Sequence, residues 1–455
     1  MADKSFGVKD INLIGASGTP EIESPNNLNI KATNVAISTD MSIGGELTVT
    51  DTFLKPQAVG LGTTTATGRD AGISTATGTI IYIPAVGMQV YAGNEGGWKT
   101  IDGTSASSSE PLNATGGTKT TDGSYTVHTF LSSQNFVVTS GSASIEYLIV
   151  AGGGGGGGQY QGGGGGAGGL RTNLSGHPLS TNNQSFTVSP TGGNGSGSYT
   201  VTVGGGGNGT STASASGTDG DPSYFGPPAS SAGIEAEGGG GAGGYDNNGR
   251  PGGSGGGSGD KSGTAYGGYG YNPLTPSPVV TTGWTNLGHP YPITQGNDGG
   301  GSSGTYGAPY AAGGGGGAGG GGYGINGDDL KAYDSNGGLG SQVLIAGPSG
   351  YSGVGAIGPN GQGQWYCGGG GGGGASINAT TAGMGGAGSA TNAPTSGWSG
   401  GGPGGPDGSG TVGPGANGGA NTGGGAGGAV SPGSSPYPGT GGNGGSGIVI
   451  IRYLT

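Results

Sequence analysis

Charge and thiol chemistry are almost missing from this chain. Lysine and arginine together number 12 in 455 residues, charged residues reach only 8%, and there is one cysteine, Cys367. A single cysteine excludes an intrachain disulfide framework. The few cations are scattered, so phosphate neutralisation has no footprint, and a formal net charge of −12 argues against nucleic acid as a partner. Hydrophobic residues make up 29%, where ordinary domains carry about 45–50%, so the chain does not resemble an enzyme with one large core. Low hydrophobicity with high charge would mean disorder, yet −12 over 455 residues is not a polyelectrolyte. The opening residues Met1–Phe6 lack the basic and apolar regions of a secretory signal. The longest apolar runs fall far short of the ~20 residues of a membrane span, so no membrane insertion is expected. Assembly in a reducing cytoplasm fits these absences.

What the chain has instead is glycine. Of 128 glycines, 19 precede residue 151 and 109 follow it. The change comes where the apolar run Ile145–Ala151 meets seven consecutive glycines, and a second apolar run, Ile448–Leu454, closes the glycine region. Because the two runs border that region on opposite sides, they are expected to lie together in one sheet.

Before that point the chain reads as short strands. Over residues 11–50, apolar pairs recur at Leu28/Ile30, Val35/Ile37, Met41/Ile43 and Leu47/Val49. Alternation indicates strand, and the short repeat indicates a fibre or solenoid. Two apolar side chains per unit are too few for a core, so burial must come from stacking and from other copies of the chain, as in a trimeric β-stem. Residues 79–83, 88–91 and 98–101 alternate with turn residues between them, which predicts a β-meander. Residues 103–117 are Ser, Gly, Thr and Asn with one Pro, the composition of a flexible spacer. Strands are predicted again at 125–130, 135–138 and 145–151. The expected organisation is an attachment and β-stem region at 1–55, a small β-module at 56–104, a flexible spacer at 105–123 and a glycine-rich domain at 124–455. The fold class expected is mostly β.

Several stretches carry a family likeness. Phe6–Gly15 is similar to virion structural proteins of T4-like cyanophages, and Gly78–Tyr82 with Gln89–Gly93 and Gly97–Ile101 resembles a small β-module of bacteriophage fibres. The glycine-rich domain of phage tail fibres is resembled in order by Tyr125–Phe130, Glu146–Gly155, Gly168–Thr172, Tyr199–Gly207 and Gly445–Tyr453. The resemblance implies a virion fibre subunit, a structural or receptor-facing part of a tail fibre, assembled in the host cytoplasm. Its expected partners are further copies of itself as a homotrimer, other virion proteins through the N-terminal region, and a host surface glycan or outer-membrane protein.

Glycine runs at 152–158, 162–166, 204–207, 238–241, 313–317, 319–322 and 368–374 admit two structures. One is a set of flexible linkers, but so many long unstructured loops in one domain are uncommon. The other is a left-handed extended helix of three residues per turn, the polyglycine II type, without internal hydrogen bonds. Lacking side chains, such helices can pack backbone against backbone, each group pairing with a neighbour. The distal adhesins of T4-like phages are built this way, and the resemblance favours the packed bundle.

Between the runs lie aromatic inserts such as Pro222–Pro228, Tyr266–Tyr271, Gly283–Tyr291 and Gln362–Tyr366. Tyr, Ser, Gly and Asn also make antibody binding loops, where rings give rigid contact area at low entropic cost. Trp284, His289, Tyr291, Trp365 and Tyr366 are the candidate receptor-binding residues. The competing reading of each ring is packing onto a flat polyglycine face.

Chemistry finds no support. Gly-x-Gly-x-x-Gly recurs at the rate that so much glycine dictates, never in a strand–helix unit with a ribose-binding acid. Asp260–Lys261–Ser262 mimics a phosphate loop, but Asp260 stands where glycine must precede lysine. His128, His177 and His289 are far apart, and Cys367 has no cysteine partner, so no metal site follows from spacing. Asp328–Asp329 and Asp334–Asn336 miss the calcium-loop pattern. Serine is abundant without a credible base. No catalytic residue, metal or cofactor is expected. Two rivals to the adhesin remain: a purely architectural baseplate, collar or head-fibre protein, and an ice-binding protein, which predicts a regular grid of small residues.

Overall fold

The computed structural model describes residues 79–83, 87–91, 98–100, 111–180, 185–212, 214–226, 233–260, 263–270, 295–304, 310–326, 335–348, 353–372, 374–375, 397–405, 413–430 and 439–454. The chain divides into two units, Met1–Gly60 and Leu61–Thr455. The expected stem repeat at 1–55 lies wholly outside the described residues, as do Trp284, His289 and Tyr291. The described residues form β-strands and no α-helix, and the protein is mostly β.

The expected meander is present. Strands β1 (Ile80–Ile83), β2 (Gly87–Tyr91) and β3 (Trp98–Thr100) pair antiparallel in chain order. Alternation sends Ile81 and Ile83 inward beside Trp98, while Ile80, Tyr82 and Met88 face out.

Ten further strands follow: β4 (Asn113–Thr115), β5 (Thr118–Asp122), β6 (Tyr125–Phe130), β7 (Gln134–Ser140), β8 (Ala143–Val150), β9 (Leu170–Thr172), β10 (Phe186–Val188), β11 (Ser198–Thr202), β12 (Ser223–Phe225) and β13 (Ile234–Ala236). One sheet has the order β10, β8, the last strand Ile448–Leu454, β6, β5, with β9 also on β8. The second has the order β13, β12, β11, β7, β4. The two apolar runs are therefore direct neighbours, antiparallel, with Ile448 opposite Val150 and Arg452 opposite Glu146. Residues 113–122, expected to be spacer, are edge strands β4 and β5 instead. An edge strand with most side chains in water, as in β5, needs no apolar alternation, so its Thr-rich sequence gave no strand signal.

Between the two sheets lies an apolar core of Phe130, Phe136, Tyr147, Ile149, Tyr199, Val201, Phe225, Val449, Ile451 and Tyr453. Tyr199 stacks on Phe225 with centroids 5.6 Å apart, and Phe136 meets Phe225 edge-on at 5.9 Å. On the first sheet's other face, Val127, Leu148, Val150, Ile448 and Ile450 meet Ala167, Leu170, Val343, Ile345, Tyr366 and Cys367. The centre of that sheet is buried on both faces, which is why Tyr147–Val150 of β8 and Ile448–Ile451 of the last strand are continuously apolar rather than alternating.

The glycine segments form the third layer. Segment 152–158 is buried, neither strand nor helix, and its backbone groups leave it in six directions. Gly152 and Gly155 donate their N–H groups to Asp221 and Thr218, Gly153 and Gly156 to Gly445 and Gly442, and Gly154 and Gly157 to Gly166 and Gly163. Its carbonyls accept in the same rhythm. Those of Gly152 and Gly155 take Gly239 and Ala242, those of Gly153 and Gly156 take Gly207 and Thr210, and those of Gly154 and Gly157 take Ala426 and Ala429. These bonds measure 2.8–3.3 Å. Partner numbers fall along the donor side and rise along the acceptor side, so three neighbours run antiparallel and three parallel. The pattern returns every three residues. Segment 162–170 is enclosed in the same way, by 423–429, 237–243, 313–316, 151–157, 254–257 and Gly370.

Glycine is required sterically here. A Cβ on Gly153, Gly154 or Gly156 would fall on the carbonyl oxygen of Gly424, Gly240 or Gly427. Where a methyl does fit, alanine appears and is buried, as at Ala167, Ala242, Ala426 and Ala429. At the solvent side, exposed residues recur at every third position: Thr218 and Asp221, Gly205 and Asn208, Thr440 and Asn443, Pro414, Asn417 and Ala420. Their side-chain oxygens close the outermost ladder. Asn443 Oδ1 accepts from Gly209 N at 2.9 Å, Asn417 Oδ1 from Asn443 N at 2.8 Å, and Thr218 Oγ1 from Asn208 N at 2.7 Å. Buried backbone groups must be paired, and here the surface rows complete that pairing.

Candidate functional site

Trp365 and Tyr366 sit in a two-residue strand, Trp365–Tyr366, paired antiparallel with Ser341–Gln342. Strand alternation separates them. Tyr366 is fully buried in the core beneath the first sheet. It is packing and not a contact surface, a correction to its place among the receptor candidates. Trp365 is only half-buried. Its ring lies where a side chain on Gly358 would have to go, and Nε1 donates to Asn360 Oδ1 at 3.0 Å. Beneath it Gln364, fully buried at φ 61°, accepts from Ile345 N and Ala346 N at 3.1 and 2.9 Å through Oε1. Its Nε2 donates to Gly347 O at 3.1 Å. Asn360 Nδ2 donates to Gln342 Oε1 at 3.2 Å, and Gln342 Nε2 donates to Gly363 O at 3.0 Å. The result is a rigid polar loop that carries Trp365 and the exposed Ile357.

Sequence reading passed over Tyr266 and Tyr269 as contact candidates, although both are exposed, at 62% and 47%. The signal was their three-residue spacing, whose meaning depends on the repeat of the glycine segments.

Titratable groups converge at the junction of β9 and β13. Arg171, nearly fully buried, donates to the Glu235 carbonyl at 3.0 Å. Burial pushes the Glu237 carboxyl up to about 7, and Glu235 beside it adds to the shift while Arg171 opposes it. Burial also raises Glu235, which shares a hydrogen bond with Tyr224. A carboxyl raised on folding favours the native state while protonated. The penalty of ionising Glu237 is therefore absent below pH 4.5 and complete above about 7. Stability should fall as pH rises through that window, and Glu237→Gln should flatten the fall, measured by thermal melting between pH 4 and 8. A slope unchanged by the substitution would remove Glu237 as its source.

An open groove of about 550 Å³ lies at one end of the first sheet, lined in part by Tyr125, Ser144, Glu146, Asn173 and Arg452. Its charges are paired to each other: Arg452 Nε meets Glu146 Oε2 at 2.6 Å, and the guanidinium lies 4.3 Å from the Tyr125 ring centroid. Nothing in it places a nucleophile beside a base. His128 and His177 are far apart in the fold. His128 Nδ1 lies 2.7 Å from Gly116 O, His177 Nε2 lies 3.1 Å from Gln342 O, and burial lowers both imidazoles. Among the described residues no three His, Cys, Asp or Glu side chains gather as metal ligands, and no helix is long and apolar enough to cross a membrane. No protein-family model matches the chain, and no curated protein matches it.

Proposed function

We propose that the protein is a virion fibre subunit that recognises a host cell surface through side chains presented by its glycine-rich domain. One observation carries this reading. A sheet-framed scaffold of mutually hydrogen-bonded glycine segments, which we read as polyglycine II, holds aromatic and polar residues at its margins, and rigid scaffolds with decorated margins are where recognition usually sits. The sequence resemblance to phage tail fibres supports it. On this reading the N-terminal region joins the subunit to other virion proteins and to two further copies of itself. The ligand is a host glycan or an outer-membrane protein, reached by ring stacking and neutral hydrogen bonds. The net charge of −12 disfavours attraction to an anionic surface, and because the proposed contacts are uncharged, binding should depend weakly on salt.

Adsorption tests the proposal. Particles carrying Trp284→Ala with Tyr291→Ala, and separately Trp365→Ala, should adsorb to host cells at least about tenfold less well, since interface Trp and Tyr often contribute 2 kcal/mol or more. Tyr366→Ala is a different experiment, because removing a buried ring costs about 3–5 kcal/mol of stability. Normal adsorption by folded particles lacking Trp284, Tyr291 and Trp365 would favour the architectural reading, in which the chain never touches the host. The ice-binding reading draws on the three-residue rows of Thr, Asn and Asp. Their oxygens already serve neighbouring amides, and thermal hysteresis of the purified protein should be nil.

A further inference from the structure

Among the outer segments of the glycine layer, 265–270 carries large side chains. Its exposure follows the backbone repeat: Ala265 and Gly268 are buried, Gly267 and Gly270 half-buried, Tyr266 and Tyr269 exposed. The carbonyls of Tyr266 and Tyr269 accept from Gly249 and Gly252 at 3.0 and 3.1 Å, so both residues stand in the same orientation, one repeat apart. Gly268 donates to Gly256 and accepts from Gly299, and a Cβ on Gly267 or Gly268 would fall on the carbonyl of Gly299 or Arg250. Tyr266 and Tyr269 therefore occupy the outward register, where the neighbouring segments leave room for a side chain. Their amide surroundings are fixed as well. Tyr266 N donates to Asn248 Oδ1 at 3.0 Å, and Gly270 N donates to Asp298 Oδ1 at 2.7 Å.

We infer that Tyr266 and Tyr269 form a binding row for an extended, uncharged glycan. This inference rests on the adhesin reading and names both its surface and its ligand. In a threefold extended chain of ~3.1 Å rise, residues three apart lie ~9 Å apart on one side. That is close to the separation of alternate sugar rings in an extended β-linked chain, whose apolar C–H faces stack on aromatic rings. Tyr adds a hydroxyl to each platform and loses little entropy on binding. Local charge suits a neutral, hydroxyl-rich partner. The flanks are an amide, Asn248, and a carboxylate, Asp298, while the Arg250 guanidinium is paired with Asp219 at 2.6 Å. An anionic polymer would meet Asp298 while the Arg250 guanidinium is already paired.

Intact protein should be titrated with cellohexaose, chitohexaose and mannohexaose and with the matching disaccharides, and its binding to cyanobacterial cells should be followed in parallel. At least one hexasaccharide should bind, and its disaccharide, too short to reach both tyrosines, should bind at least about tenfold more weakly. Tyr266→Ala and Tyr269→Ala should each weaken hexasaccharide binding about tenfold or more without lowering the melting temperature, because both rings are exposed, whereas the two Tyr→Phe variants should stay within about threefold. A wild-type protein that binds cells but no hexasaccharide overturns the glycan assignment. So does a folded double-alanine variant that binds hexasaccharide as well as wild type. Loss of cell binding in that variant without any glycan binding would assign the row to a protein receptor and overturn it equally. Failure of the wild type to bind cells at all would instead overturn the adhesin reading.

Discussion

Gly370→Ala should unfold, or come close to unfolding, the glycine-rich domain, whereas Gly320→Ala should leave its melting temperature unchanged or slightly raised. The two changes add the same methyl. At Gly370 it would land on the carbonyl of Ala426, while the residue's own N–H and C=O are bonded to Gly165 and Gly315 at 2.8 Å. No rotamer change relieves that clash, because the obstructing atoms are backbone atoms of a segment that is itself held by neighbours. Relief requires segments to separate, which breaks hydrogen bonds worth about 0.5–1.5 kcal/mol each in addition to about 1–3 kcal/mol of overpacking. A total loss above about 3 kcal/mol is expected, large against a typical stability of about 5–15 kcal/mol. At Gly320 the nearest atom to the new methyl is Leu339 N, 3.8 Å away. Replacing a glycine where alanine fits stabilises by about 0.4–1 kcal/mol, by restricting the unfolded chain. Thermal unfolding followed by circular dichroism decides the matter. Similar melting points for the two variants would mean that the glycine segments tolerate separation and behave as linkers.

Ile450→Ala and Ile451→Ala should each destabilise the domain by about 2–5 kcal/mol, the usual cost of truncating a buried isoleucine. The two residues are adjacent in the last strand and fully buried. Alternation points Ile451 into the sandwich core with Tyr147 and Phe225, and Ile450 towards Leu170 and Tyr366 beneath the glycine layer. The strand lies between β8 and β6, so a defect on either face reaches the middle of the sheet. The double variant should fail to fold, since each layer would lose a central contact of the middle strand they share. A denaturation series in urea measures all three. Full stability in Ile450→Ala alone would show that the glycine layer does not depend on the sheet for its foundation.

Much of this frame was legible in the sequence. The apolar runs Ile145–Ala151 and Ile448–Leu454 announced strands, and their placement on either side of the glycine region predicted that they would share a sheet. The meander of β1–β3 followed from simple alternation. What stayed hidden has two physical causes. Edge strands β4 and β5 expose most of their side chains, so Thr118–Thr121 carries no apolar period and resembles a linker. The neighbours of each glycine segment are set by backbone bonds alone, and backbone bonds leave no side-chain signature. That Gly154 packs between Gly166, Gly240 and Ala426 cannot be inferred from residues that are identical everywhere. The same gap obscured the site. Trp365 and Tyr366 looked equivalent until pairing with Ser341–Gln342 put one ring in the core, and the Tyr266–Tyr269 spacing acquires meaning only against a repeat of three.

The six-sided bonding of segment 152–158 also dictates how the domain must assemble in time. Gly154 meets Gly166 almost at once, but Gly153 must wait for Gly445, roughly 290 residues later in the chain. Closing loops of that length costs entropy before any contact repays it, and topologies dominated by distant contacts fold slowly. During synthesis segment 152–158 is made early and enclosed late. Its amides stay wetted until the residues around 426–445 arrive, and the first sheet must likewise wait for Ile448–Leu454, so refolding should be slow. Once every side is occupied, the same segment can be released only by dismantling its surroundings. The architecture thereby trades speed of formation for a long-lived folded state, maintained by a barrier to unfolding more than by any large apolar core.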